Sequence, residues 1–160
     1  MAFYSADPVL FYGPSHVTAT LGSKHPEVGT RAHVAGRDYV WAYNDCNSDI
    51  NPGFGCVLQS AATGMSVSVS AVTSADIVVG VCYHSTLTTG TYGWLLTRGI
   101  GKAEMNATSG TVAAKDLLEI GANGDWQKVS NTTANFAPAA GCALEAIVSS
   151  ASGAAYFSVY

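Results

Sequence analysis

IVVGVCYHSTLTTGTYGWLL, residues Ile77 to Leu96, decides the fold. It opens on β-branched residues, breaks at a Ser/Thr/Gly segment, and resumes with Tyr92-Gly93-Trp94. β-branched and aromatic side chains suit a pleated, half-buried surface, and Thr/Gly clusters interrupt it. The stretch therefore reads as strand, turn, strand. On a strand, Cys82 and His84 would share one face, so a thiolate–imidazole pair is geometrically open. No orienting acid and no oxyanion motif accompanies them, and a core Cys with a rim His is the favoured reading.

The layout returns in AAGCALEAIVSSASGAAYFSVY, Ala139 to Tyr160. Each copy has a glycine close to a cysteine, an apolar patch, a Ser/Thr/Gly turn and an aromatic strand. The second copy has no histidine at the place of His84. An offset near 60 residues sets Leu58 on Leu118, Gln59 on Glu119 and Gly64 on Gly124. One added residue sets Gly80 on Gly141 and Cys82 on Ala143, beside Cys142. Tyr39-Val40-Trp41 echoes Tyr92-Gly93-Trp94 at a shorter offset. Two explanations stay open: a duplicated β unit with halves at about 37–96 and 91–160, or chance in a Gly/Ala/Ser/Thr-rich sequence.

Outward from this stretch the pattern stays β. Arg37–Tyr43, Cys56–Ser60, Met65–Val72, Gly101–Asn106, Thr111–Ala113, Leu117–Ile120, Trp126–Val129, Gly141–Ile147 and Ala154–Val159 read as further strands. MSVSVSAV, from Met65, alternates with the period of a half-buried strand. Asn44–Gly55 and Gly121–Gly124 read as turns. No amphipathic helix stands out. The expected fold class is all-β, a compact antiparallel β-barrel or sandwich over 36–160.

Residues 1–35 are different. They hold three of the five prolines and three of the four histidines, with aromatic residues at no helical spacing. Proline removes backbone donors and favours extended chain. This segment is expected to be an extended N-terminal arm. It either folds onto its own domain or reaches a neighbouring subunit.

Composition limits the function. Only 11% of residues are charged, where about 25% is usual. A surface this poor in charge is often one that is meant to be covered. Seven scattered basic residues and a net charge of −4 argue against phosphate-backbone recognition, so no nucleic-acid partner is expected. No window approaches the roughly 20 apolar residues of a membrane span, and Met1–Pro8 lacks the features of a secretory leader. The four cysteines read as free thiols in small apolar niches. Asp45, Asn47 and Asp49 alternate as in the opening of a calcium loop. Ile50 then stands where such a loop needs Gly, and Cys56 where it needs Glu, so a surface turn is favoured. Nucleophile elbow, phosphate loop, zinc spacing and a carboxylate pair are all missing from the sequence. No enzyme and no cofactor are expected.

Tyr92-Gly93-Trp94, Gly99, Ala103, Leu117-Leu118 and the run from Gly141 to Ala146 (GCALEA) resemble the capsid decoration, or cement, proteins of tailed bacteriophages. Tyr12-Gly13-Pro14 and His25–Thr30 (HPEVGT) resemble segments of other phage virion proteins. The resemblance implies a structural virion protein, made in the host cytoplasm. It would bind the outer surface of an icosahedral capsid as a homo-oligomer, trimer or dimer, and bridge neighbouring copies of the major capsid protein. Phe3, Tyr4, Phe11, Tyr12, His16 and His25 are then the expected capsid or subunit contacts, since aromatics dominate interface hot spots. The alternative is a head-fibre or tail adhesion module that binds host surface carbohydrate, with Tyr39, Trp41, Tyr92, Trp94 and Trp126 as stacking platforms.

Overall fold

The computed structural model describes residues 17–18, 26–60, 65–69, 77–108, 110–121, 123–129 and 140–159. Among them there is no helix, and the chain is all-β as expected. Eleven strands follow in order: β1 Val17–Thr18, β2 Arg31–Val34, β3 Arg37–Asn44, β4 Gly55–Ser60, β5 Ser66–Ser68, β6 Val78–Cys82, β7 Tyr92–Glu104, β8 Leu117–Ile120, β9 Trp126–Lys128, β10 Gly141–Ala143 and β11 Ser152–Ser158. Phe3, Tyr4, Phe11, Tyr12, His16 and His25 lie outside the described residues. Within the segment read as an arm, β1 pairs with β7 at Tyr92–Gly93 and β2 forms a hairpin with β3.

The strand pairings close twice. In the first ring β3 pairs β7, β7 pairs β6, β6 pairs β4 and β4 pairs β5, all antiparallel, and β5 returns to β3 in parallel through Tyr43↔Ser66. In the second, β7 pairs β11, β11 pairs β10, β10 pairs β8 and β8 pairs β9, again antiparallel. Its closure is again parallel, from Trp126 to Met105 just past β7. A closed ring leaves no long free edge, the main hazard of an all-β chain.

The loops repeat as well. Ile50 and Leu87 exchange backbone hydrogen bonds of 3.0 and 2.9 Å, and Val112 and Ile147 exchange bonds of 2.8 and 2.9 Å. Gly53 N–H donates to Cys82 O, and Lys115 N–H donates to Ala143 O. Gly53 and Lys115 both hold positive φ, at 96° and 75°. So one connection pattern is used twice, and Cys82 and Ala143 occupy matching places. The Tyr-x-Trp echo has another origin. β3 and β7 are antiparallel partners, with Trp41 opposite Trp94 and Tyr43 opposite Tyr92. The two indoles pack edge to face at 5.1 Å, a favoured aromatic geometry.

β7 serves both rings. Sequence spacing predicts two strands there, Tyr92–Arg98 and Gly101–Asn106; the structure has one of 13 residues. Its register against β3 slips between Leu96 and Arg98, where Thr97 is the extra residue and its hydroxyl donates to Asp38 O at 3.1 Å. A bulge of this kind bends a strand and changes which side chains face inward. Before it, Leu95 points into the first ring, in the cluster of Val40, Ala42, Cys56, Val67, Val79 and Cys82. After it, Ala103 and Met105 belong to the larger core with Leu118, Ile120, Trp126 and Phe157. Trp41, Val81, Trp94 and Leu96, on the outside of the first ring, join that same core. The outer wall of the first ring is thus one wall of the second ring's interior. Trp126 Nε1 ties them further by donating to Gly53 O at 2.8 Å.

Candidate functional site

Four cross-strand neighbours line the outer face of the second ring. Ile100 on β7 lies opposite Tyr156 on β11, Tyr156 opposite Cys142 on β10, and Cys142 opposite Leu117 on β8. Inward-facing positions of these strands hold Gly101, Ala155, Ala143 and Leu118, all buried, so strand alternation turns this row outward. Leu144 extends the patch, its N–H bonded to Ala154 O at 3.0 Å. Arg98 and Lys102 flank Ile100 along β7, and Arg98 Nε donates to the Tyr156 hydroxyl at 3.3 Å. Two shallow hollows lie along this face. One, of about 180 Å³, is lined by Leu117, Ala140, Gly141, Cys142, Tyr156 and Ser158. The other, of about 390 Å³, lies over Ile100, Lys102 and Ala154, with Tyr83 at its margin.

The first ring has the same row. Tyr39, Leu96, Val81 and Gly55 are cross-strand neighbours on β3, β7, β6 and β4, the strands that correspond to β7, β11, β10 and β8. There the row is covered: Tyr39 is 2% exposed and Leu96 and Val81 are 0% exposed, against 50% for Ile100, 36% for Tyr156 and 53% for Leu117. The covering groups come from the second ring. A Cβ on Gly55 would come within 2.6 Å of Ile120 and 2.8 Å of Trp126. Among the described residues, nothing covers on the second ring the surface that the first ring buries.

This row was not singled out in the sequence, although one sign of it was there. Arg98, Ile100 and Lys102 alternate on one face of β7, and Ile100 breaks an otherwise cationic series. Its partners come from three distant segments, and no local pattern joins them.

The residues that carried chemical interest are placed elsewhere. Cys82 is buried in the first ring, its single S–H within reach of two carbonyl acceptors, Ile50 O at 3.3 Å and Ser85 O at 3.1 Å. Burial pushes its pKa up to about 11. Cys56 is raised as well, by burial and then by the neighbouring Cys82 and Cys46. A thiol held protonated is a poor nucleophile. His84 is exposed outside the ring, packed edge-on to Tyr83 at 4.3 Å. Burial, and then the nearby Arg37 charge, lower its pKa. Cys82 and His84 do not form a pair. Cys46 and Cys142 are also free thiols, half-buried.

In the Asn/Asp turn, Asp45, Asn47 and Asp49 are exposed. Asp49 accepts the Thr89 N–H at 2.9 Å and Asn44 accepts the Cys46 N–H at 2.9 Å. Those oxygens organise the turn itself. Among the described residues no three His, Cys, Asp or Glu side chains gather as metal ligands would. Of the five aromatics named as stacking platforms, Tyr39, Trp41, Trp94 and Trp126 are buried and only Tyr92 is partly open. Asn106, in an Asn-x-Thr sequon, uses its side-chain amide to reach Asp125 at 2.9 Å.

No protein-family model matches the chain, and no curated protein matches it.

Proposed function

We propose that this chain is a non-enzymatic structural protein of a virion, attached to the outer surface of an icosahedral bacteriophage capsid and bridging neighbouring capsid subunits. The observation that carries the docking part is the apolar row Ile100–Tyr156–Cys142–Leu117, exposed among the described residues on a doubly closed β scaffold. Apolar surface of this kind gains free energy only when something covers it. The thiols of Cys56 and Cys82 are held protonated in the core, and His84 stands apart from them, so the described residues support docking rather than turnover. The capsid as partner is drawn from the resemblance to decoration proteins. Attachment repeated over a shell multiplies modest single contacts. On this proposal the aromatic segment ahead of β1 adds the contacts assigned to Phe3, Tyr4, Phe11 and Tyr12, through backbone pairing or apolar side chains.

The test is co-sedimentation of the purified full chain with capsids of the phage that encodes it. Binding to expanded shells and not to unexpanded procapsids is expected. Deleting residues 2–15, which leaves β1 in place, should weaken binding while the melting transition persists. A chain that ignores both shells would overturn the capsid assignment.

A further inference from the structure

Asn123-Gly124 is the one asparagine–glycine pair in the sequence, and it lies in the turn between β8 and β9. Gly121 N–H donates to Asp125 O at 2.6 Å and closes that turn. Gly124 takes a φ of 82°. A Cβ on it would come within 2.6 Å of Val69 Cγ1 and 2.9 Å of Gly55 O. Left-handed backbone and close packing both call for glycine there, and asparagine is a favoured turn residue beside it. We propose that this pair is a site of spontaneous covalent modification, at which Asn123 converts to an aspartyl or isoaspartyl residue and loosens the junction of the two rings.

The reaction needs water as its only co-reactant. The Gly124 backbone nitrogen attacks Asn123 Cγ. A C–N bond forms, the Cγ–Nδ2 bond breaks, and the proton of the attacking nitrogen leaves with the amide as ammonia. Water then adds to either carbonyl of the five-membered imide and breaks its bond to the ring nitrogen, which regains a proton. Opening at the side-chain carbonyl gives aspartate. Opening at the main-chain carbonyl gives isoaspartate, in which the backbone runs through the former side chain. Nothing is oxidised or reduced.

The structure sets Asn123 apart from the other described asparagines. Asn44 is buried, its amide donating to Ser48 O and Leu87 O. Asn106 donates to Asp125 and accepts from Thr108. Asn51 precedes Pro52, which has no N–H to give up. Asn47 is exposed, but Ser48 follows it and carries a Cβ beside the nitrogen. Asn123 is exposed, and its side chain holds no hydrogen bond among the described residues. Gly124 N–H reaches Gly121 O only at 3.3 Å, past the roughly 3.2 Å limit of a good N–H···O bond. The consequence lies at the junction of the rings. Gly124 O accepts the Gly55 N–H at 2.7 Å, and Trp126, two residues on, donates to Gly53 O at 2.8 Å. An isoaspartyl link adds a main-chain carbon just ahead of these contacts, together with a carboxylate. The inference is independent of the capsid as partner.

Ageing the full chain at pH 8.5 and 37 °C, followed by trypsin and peptide mass, tests it. The peptide Asp116–Lys128 carries Asn123 as its only asparagine. Conversion there is expected to run at least about tenfold faster than at any other asparagine, a difference of about 1.4 kcal/mol in barrier. An isoaspartyl methyltransferase should label the same peptide. Asn123→Ser, at an exposed position, should remove both signals and keep the melting temperature. Ion exchange should separate the aged forms by their added negative charge, and the isoaspartyl form should melt below the fresh protein. Conversion confined to urea-unfolded chains, or no faster at Asn123 than elsewhere, overturns the proposal. An isoaspartyl form that melts with the fresh protein overturns its effect on the junction.

Discussion

Cys82 sits in the first ring where Ala143 sits in the second, and the comparison explains its chemistry. Both positions face a closed interior and both backbone N–H groups cap the start of a neighbouring strand, at Phe54 O and Asp116 O. The position asks for a small side chain, and a thiol meets that need as a small apolar group. Burial then raises the Cys82 pKa from its usual 9.0 to about 11. Below pH 9 the folded thiol is as stable as it can be. As pH climbs from 9 towards 11, unfolded chains release the proton first and stability falls, by an amount on the order of 2–3 kcal/mol. Cys82→Ala should flatten this part of the stability–pH curve, measured by urea unfolding at pH 8 to 11. Maleimide labelling at pH 7.5, read by peptide mass, should find Cys142 modified rapidly and Cys56 and Cys82 only after denaturant. Prompt labelling of Cys82 in the native protein would contradict its placement.

At the scale of the element, β7 carries most of the architecture. It pairs β3 and β6 through its first half and β11 through its second, with the Thr97 bulge between. Gly101 stands inside the larger core, between Leu96 and Phe157. A Cβ there would come within 2.6 Å of Leu96 Cδ2 and 3.1 Å of Phe157. Gly101→Val should therefore destabilise the protein by roughly 1–3 kcal/mol, the scale of an overpacked core, read as a shift in the denaturation midpoint. Gly99 and Gly101 are also why a single strand looked like two from the sequence. Glycine usually marks a strand end, but here one adopts a φ of 124° beside the bulge and the other makes room for packing. Local pattern was otherwise informative: β3, β4, β6 and β8 stand within a residue of where branched and aromatic residues placed them. The echo of Gly80 with Gly141 holds because both lie on matching strands. The echo of Tyr-x-Trp fails as a repeat because register, a non-local property, makes those residues partners across a ladder. The joining of the open row's four members across strands is non-local in the same way.

On the scale of the whole molecule, the two rings are one folding unit. They share β7, and the outer wall of the first is a wall of the second's interior, so loss of the larger core is expected to carry the first ring with it. A pair of tandem domains would instead have separate cores and an interface between them. The large core spans Trp41 and Leu96 of the first ring and Trp126 and Phe157 of the second, with Trp126 and Phe157 packed at 5.0 Å. Apolar burial of that kind is the main force available to a chain with 11% charged residues and no disulfide among its described cysteines. Phe157→Ala should cost about 3–5 kcal/mol, the usual penalty for emptying a buried aromatic site. The loss should appear in both rings at once. Calorimetry should give one transition whose van't Hoff and calorimetric enthalpies agree, moved to lower temperature in the variant. Fluorescence of Trp41 and Trp94 in the first ring should change together with that of Trp126 in the second, as single-tryptophan variants would report. Two separated transitions, with Trp41 and Trp94 still protected after Trp126 is exposed, would mean that the first ring stands alone. Tyr39, Leu96 and Val81 would then need some other cover, and the second ring would be an addition to a finished domain.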